Sequence, residues 1–418
     1  MQDGMKYVAL FAAGTMSSML LFFYGPQPLV QGGGEMVAIA ENLVRDGAFS
    51  DPFITASTGP TAHVAPLYPA FLAALMKVFG TPASQQIGVL LTFFAMGLHA
   101  SLLAAVSNLA FKDLRPGLYG AALSVILPAF RFMATWEAFW TANGLMLFCL
   151  GSHWLRRRTN SLRIAAVLGV FAGLLVLLNP ATVLVSLPWI VFLIWRPGIP
   201  VRSRLAFLAG SLALAALTCL PWALRNRSTL GALVLKDNFG INLHASNNDC
   251  ADSSMVPSLM SGCFQRNHPS HNPAEAMLLK QMGEVPYDAY RRATAVRWIR
   301  DHPSRFAWLT AKRIVAFWFP VPADPPHAYT VWLITGISFI GIVLLVRRRV
   351  PWLWFALSVT AVYPLTYYIV LSDVRYRYPI LWISLLCAGY WMAEAAASIR
   401  RWVSRYRLHP GRATYQDD

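Results

Sequence analysis

Four charged side chains stand at the ends of long apolar runs, where charge is scarce and calls for a reason, and a fifth opens an amphipathic stretch. Glu137 follows Thr135-Trp136 at the edge of one run, and a carboxylate at a membrane edge is costly unless it is paired or functional. Arg375 and Arg377 share a short turn between two runs, and Arg225 ends another with Arg227 close by. Glu35 opens an amphipathic stretch. Guanidinium groups at that depth bind phosphate, and a carboxylate moves protons. Each residue also has a plainer reading: arginines snorkel to the interface, and Glu35 favours the N-terminus of its own helix. His63, three residues before Pro66, is a substrate ligand or a loop hydrogen-bonder, and Tyr68 lines a site or anchors at the interface.

Cysteine adds a separate expectation. Cys149, Cys219 and Cys387 fall within apolar runs, where small-residue packing accounts for them. Cys250 and Cys263 lie together in a polar stretch. Outside the cytoplasm they are free to pair, and closing a loop of that length is worth roughly 3 kcal/mol. The histidines are scattered and no Cys/His spacing fits a metal, so neither metal nor cofactor is expected.

The elements that must position these residues are membrane helices. Of 418 residues, 56% are hydrophobic and only 13% charged, about half the charge of a soluble domain. Apolar spans are expected at 7–24, 86–110, 117–130, 138–155, 162–178, 180–195, 204–222, 328–346, 351–370 and 378–397. Inside hydrocarbon every backbone polar group needs an internal partner, so these runs are helices. The fold class is therefore an all-α polytopic membrane protein.

The formal net charge of +16 reports topology, not nucleic acid. With the N-terminus in the cytoplasm, the short inner segments hold 18 of the 35 Lys+Arg but 5 of the 19 Asp+Glu. That is the positive-inside pattern, and it places both termini inside. No cleavable signal peptide is evident, so the first span is expected to stay. Residues 1–222 form an N-terminal transmembrane module that includes a first outer loop, 25–85. A second outer loop, 223–327, is large enough for a small subdomain, and 328–418 return to the membrane and end in a basic tail. Interfacial helices are expected at Met36–Asp46, which Gly47 ends, from Pro66 to Phe79, and on either side of Pro303.

The order of short motifs resembles the GT-C membrane glycosyltransferases, in particular bacterial relatives of protein O-mannosyltransferases and of the lipid A aminoarabinose transferase. The motifs are Gly34-Glu35-Met36 through Leu43, Ala65-Pro66-Leu67-Tyr68-Pro69 through Phe79-Gly80, and Pro221-Trp222-Ala223-Leu224-Arg225-Asn226. Asn238-Phe239-Gly240-Ile241-Asn242-Leu243, Trp298-Ile299-Arg300-Asp301-His302-Pro303 and Arg375-Tyr376-Arg377-Tyr378-Pro379 complete the set.

The resemblance implies a GT-C-like helical bundle. It also implies transfer of a sugar from a polyprenyl-phosphate donor to a lipid, glycan or protein acceptor at the outer face of a cell inner membrane. It makes Glu35 the catalytic base, Arg225, Arg375 and Arg377 the phosphate ligands, and His63, Tyr68 and Glu137 substrate contacts. The family's usual Asp aligns near Gly32, with Glu35 about one turn further on.

Other classes fit less of the chain. A polyprenyl-linked glycan polymerase or ligase leaves the first-loop helix unexplained. A transporter or flippase needs more intramembrane charge than His99, Asn108 and Asn143 supply. No P-loop is present for ATP-driven work.

Overall fold

The computed structural model describes residues 2–24, 34–127, 129–130, 136–156, 161–195, 200–322 and 325–408. Helix α1 (Gln2–Tyr24) leads to a first long loop carrying α2 (Glu35–Asp46) and α3 (Leu67–Phe79). The bundle continues with α4 (Thr81–Phe111), α5 (Arg115–Ile126), α6 (Ala138–Arg156), α7 (Ser161–Leu178), α8 (Val183–Ile194) and α9 (Val201–Leu230). A second long loop folds into α10 (Phe239–Ser246), α11 (Met255–Met260), α12 (Cys263–Asn267), α13 (Pro273–Met282), α14 (Glu284–Asp301) and α15 (Pro303–Trp318). Helices α16 (Pro325–Arg347), α17 (Trp352–Val362), α18 (Leu365–Ile369) and α19 (Tyr378–Leu408) close the chain.

The expected spans carry helices, although the helix of 117–130 ends at Ile126, and the segments differ in what they can do alone. Among the described residues, five helices, in α1, α4, α9, α16 and α19, are long and apolar enough to cross a membrane. This is a multi-pass membrane protein. Helices α5 and α8, at 12 residues each, reach only about 18 Å against a hydrocarbon thickness of about 30 Å. Their ends are tolerated where neighbouring protein covers them. The expected span at 351–370 is two helices meeting at Pro364, which has no N–H to continue the ladder. The expected span at 180–195 begins with a single tight turn at Pro180–Thr182 before α8.

The core runs along α4 and α19, each 67% buried over its apolar window, whereas α1 and α9 are 11% buried and present Val8, Met16, Phe23, Leu217 and Leu224 outward. Helices α5 and α19 approach so closely that a Cβ on Gly389 would lie 1.9 Å from the Pro116 carbonyl oxygen. Two of the intramembrane polar residues meet each other: His99 Nδ1 lies 3.1 Å from Asn143 Oδ1, and Asn143 donates to the Ala95 carbonyl at 2.7 Å.

The second long loop is locked to the bundle by Arg313, a fully buried guanidinium. It donates to Asn247 Oδ1 (3.1 Å), to the Ile369 carbonyl (3.2 Å) and to the Ser246 carbonyl. Cys250 and Cys263 are joined by a disulfide. The bridge closes the segment that carries Met255 and leads into Phe264 and His268.

Candidate active site

A cavity of about 260 Å³ lies where the two long loops meet the ends of α6, α17, α18 and α19. Its chemistry comes from four charged groups: Glu35, Glu137, Lys236 and Arg375. Glu35 is the first residue of α2, after Gly34 in extended conformation. A Cβ on Gly34 would sit 3.3 Å from the Trp136 ring, and Arg375 lies over the same ring at 4.0 Å. Trp136 thus spaces the start of α2 from the Arg375 turn and holds both at the cavity wall.

Glu137, the next residue, accepts from Asn179 Nδ2 at 3.0 Å. Burial raises its pKa, while the charges of Lys236 and Arg375 and the Asn179 hydrogen bond pull the other way. Lys236 reaches solvent through the open side of the cavity yet is surrounded by protein. Loss of hydration lowers its pKa, offset by Glu137 and Glu35.

Arg375 stands on a tight turn, Val374–Arg377, capped by Asp373, whose carboxylate accepts from the Arg375 amide at 3.0 Å. Its Nε is 3.7 Å from Asp373, too far for a hydrogen bond. That buried Nε has no hydrogen-bond acceptor among the described residues.

The neutral groups are two histidines and three tyrosines. His63 is buried against Phe53 and 6.1 Å from His268. Burial first, and Lys236 second, push its pKa down to about 3, and its Nδ1 has no partner among the described residues. His268 stacks on Phe264 at 4.7 Å and meets Ser270 Oγ at 2.6 Å, and burial likewise holds it at about 3. Both are neutral donors or acceptors near pH 7 and offer no charge to a phosphate. Tyr363, Tyr367 and Tyr376 form an aromatic wall, with Tyr367 stacked on Tyr376 at 4.7 Å.

The structure therefore gathers Glu35, His63, Glu137 and Arg375 and leaves three expected site residues elsewhere. Arg225 is bound to backbone, donating to the carbonyls of Thr61 and Phe49 at 2.7 Å each and packing over Trp222. Arg377 faces away from Arg375 and donates to the Trp318 carbonyl (2.8 Å), Thr335 Oγ1 (2.6 Å) and Ser384 Oγ (3.1 Å). Tyr68 is buried in the core between α2 and α3 and exposes nothing to an interface. Gly32 lies outside the described residues. Lys236, His268, Trp136 and Asn179 were not expected, although Lys236 stands two residues before the Asn238-Phe239-Gly240 motif and Trp136 beside Glu137. Among the described residues no group of three His, Cys, Asp or Glu is arranged to hold a metal.

No protein-family profile matches the chain, and no curated protein matches its sequence. Solved structures do match. The archaeal oligosaccharyltransferase AglB from Archaeoglobus fulgidus, in complex with an inhibitory peptide and a dolichol-phosphate, aligns at TM-score 0.53 and 11% identity over 98% of this chain. A second A. fulgidus oligosaccharyltransferase structure, with Zn and sulfate, aligns at 0.55 and 14% over 97%. The chain has the GT-C fold. It spans about half the length of those two proteins, 52% and 51%. ArnT from Cupriavidus metallidurans, bound to undecaprenyl phosphate, aligns at 0.38 and 14%, over 94% of this chain and 78% of its own.

In this fold the strip that delivers His63 to the cavity is clamped by the Glu284 carboxylate and the Asp237 main chain. Glu284 accepts from Thr61 Oγ1 and from the Ala62 amide (2.6 Å), and the Asp237 amide donates to the Ala62 carbonyl at 2.9 Å. Burial raises Glu284 to about 8 despite those hydrogen bonds, and burial with the charge of Asp288 raises Asp237 to about 7. Both folded pKa values exceed the unfolded ones, so the folded state binds more protons. Their contribution is fully present below about pH 4 and is lost as pH rises through 7 and 8. The melting temperature of the purified protein is thus expected to fall between pH 5 and 9, and to fall less in Glu284→Gln. Equal slopes in the two proteins would remove this role from Glu284.

Proposed function

We propose that the chain is a glycosyltransferase that moves a sugar from a polyprenyl-phosphate donor to an acceptor hydroxyl at the non-cytoplasmic face of a cell membrane. The observation that carries this reading is the pairing, in one cavity at the end of a GT-C bundle, of two cations with two carboxylates. Lys236 and Arg375 supply the charge for a phosphate whose lipid tail stays in the bilayer. The AglB structure holds a dolichol-phosphate, the same class of carrier. The positive-inside charge pattern supports the outer face.

In the proposed reaction Glu35 takes the acceptor proton as the acceptor oxygen bonds to the anomeric carbon. The bond from that carbon to the phosphate oxygen breaks, and its electron pair leaves with the polyprenyl phosphate, stabilised by Lys236 and Arg375. Glu137, held by Asn179, is positioned to accept from a sugar hydroxyl, and His63 does the same from the loop side. The tyrosine wall offers an aromatic face to the ring. Arg225, Arg377 and Tyr68 support the loops that carry these groups.

Mass spectrometry of lipids that copurify with the protein tests the donor assignment. Wild type is expected to carry polyprenyl phosphate or its glycosylated form, and Lys236→Met to lose about 10–100-fold in retention, the weight of one charge-assisted contact. Ordinary phospholipids alone in wild type, even after polyprenyl phosphate is added, would argue against a transferase.

A further inference from the structure

At the end of the bundle opposite the cavity, α16 and α19 part to leave a second groove. The helices touch at Gly341, where an added Cβ would lie 1.9 Å from the Cys387 carbonyl oxygen, so backbone meets backbone there. Beyond that crossing they diverge around a space of about 310 Å³, walled by Ile340 and Val343 on α16 and by Trp391 and Ser398 on α19. The Arg348–Glu394 ion pair, 2.6 Å, spans the gap and cancels the acid within it. Arg347 is left on the rim with its side chain exposed. On α19, Arg401 stands one turn beyond the groove-lining Ser398 and donates to its Oγ at 3.0 Å.

We infer that this groove binds an anionic phospholipid, with its phosphate between Arg347 and Arg401 and an acyl chain against Ile340 and Val343. Depth supports the assignment. Helix α16 has 23 residues, about 35 Å at 1.5 Å per residue, so its last arginines stand roughly one hydrocarbon thickness from its start. The helix dipole favours cations at the end of α16, but it does not account for the guanidinium contributed by α19. The walls are apolar and exposed, with Ile340 and Val343 at 49% and 50%, which suits a lipid chain rather than a soluble anion.

Native mass spectrometry of the full chain in detergent, with equal amounts of phosphatidylglycerol and phosphatidylcholine added, reads the site directly. Wild type retains phosphatidylglycerol in preference. Arg347→Gln lowers that retention about five-fold, and Val343→Trp, which fills the wall without changing charge, lowers it too. Arg202→Gln, the same charge change on α9, leaves it unchanged. Equal retention of the two lipids by wild type overturns the inference, as does an Arg202→Gln loss matching that of Arg347→Gln, which would mean a diffuse charge effect. Retention of phosphatidylglycerol by Val343→Trp at the wild-type level also overturns it.

Discussion

Replacing Glu35 by Gln is expected to lower the rate of sugar transfer by about 10²–10⁴-fold, the usual weight of a general base. The fold should tolerate the change. Glu35 is the first residue of α2, with one side of its backbone set against Trp136 through Gly34. What the charge gives the helix is a dipole interaction of about 0.3–1 kcal/mol. The loss should appear in kcat, because a base acts as the acceptor bond forms and adds little to donor binding. Glu137 provides the comparison. One of its oxygens already accepts from Asn179, and burial holds its pKa up. A group so committed is suited to orienting a sugar hydroxyl, and Glu137→Gln should act mainly on KM. Steady-state kinetics with a polyprenyl-phosphate-sugar donor would separate the two. A Glu35→Gln enzyme with near wild-type kcat, or a larger kcat loss in Glu137→Gln, would move the base to Glu137.

The bundle was legible because hydropathy is a local property: each run of apolar residues declares its helix without reference to the others. Gly47 ends α2 in the left-handed conformation expected of it, at φ +67°. Pairing of Cys250 with Cys263 was also within reach of local spacing. What local reading misses is the direction in which a side chain leaves a turn. Arg375 and Arg377 look equivalent in Arg-Tyr-Arg-Tyr-Pro. They sit on a tight turn of three residues per revolution, however, so positions two apart point about 120° away from each other. One guanidinium enters the cavity and the other enters the helix packing.

Lys236 was hidden for a different reason. It belongs to no periodic element, and it reaches the cavity because its neighbour Asp237 is tied to Ala62, more than 170 positions earlier. Arg225 misled in the opposite sense: a cation at a helix exit looks free for phosphate, yet two carbonyls of the first long loop already occupy it.

The same divergence gives the second large effect. Arg375→Ala and Arg377→Ala, two residues apart and equal in charge, should fail in different ways. Arg375 makes no hydrogen bond through its buried Nε among the described residues and rests on Trp136 beside the cavity. Its loss removes a phosphate contact at a site partly shielded from water, a cost of about 1.5–3 kcal/mol in donor binding, or roughly 10–100-fold. The melting temperature should change little. Arg377 is 1% exposed and is spent on the Trp318 carbonyl, Thr335 and Ser384, tying α15, α16 and α19 together. Truncating it strands buried acceptors at about 1–3 kcal/mol each and opens a space the size of its side chain. Several kcal/mol is a large part of a domain's stability. Arg377→Ala should therefore lower the melting temperature markedly, with activity lost in proportion to folded protein, and Arg377→Lys should not restore it, since one ammonium cannot reproduce the fork. Thermal melts read beside donor titrations distinguish the cases. If Arg375→Ala melts early and Arg377→Ala stays folded but loses the donor, the two assignments must be exchanged, and with them the side of the turn that faces the substrate.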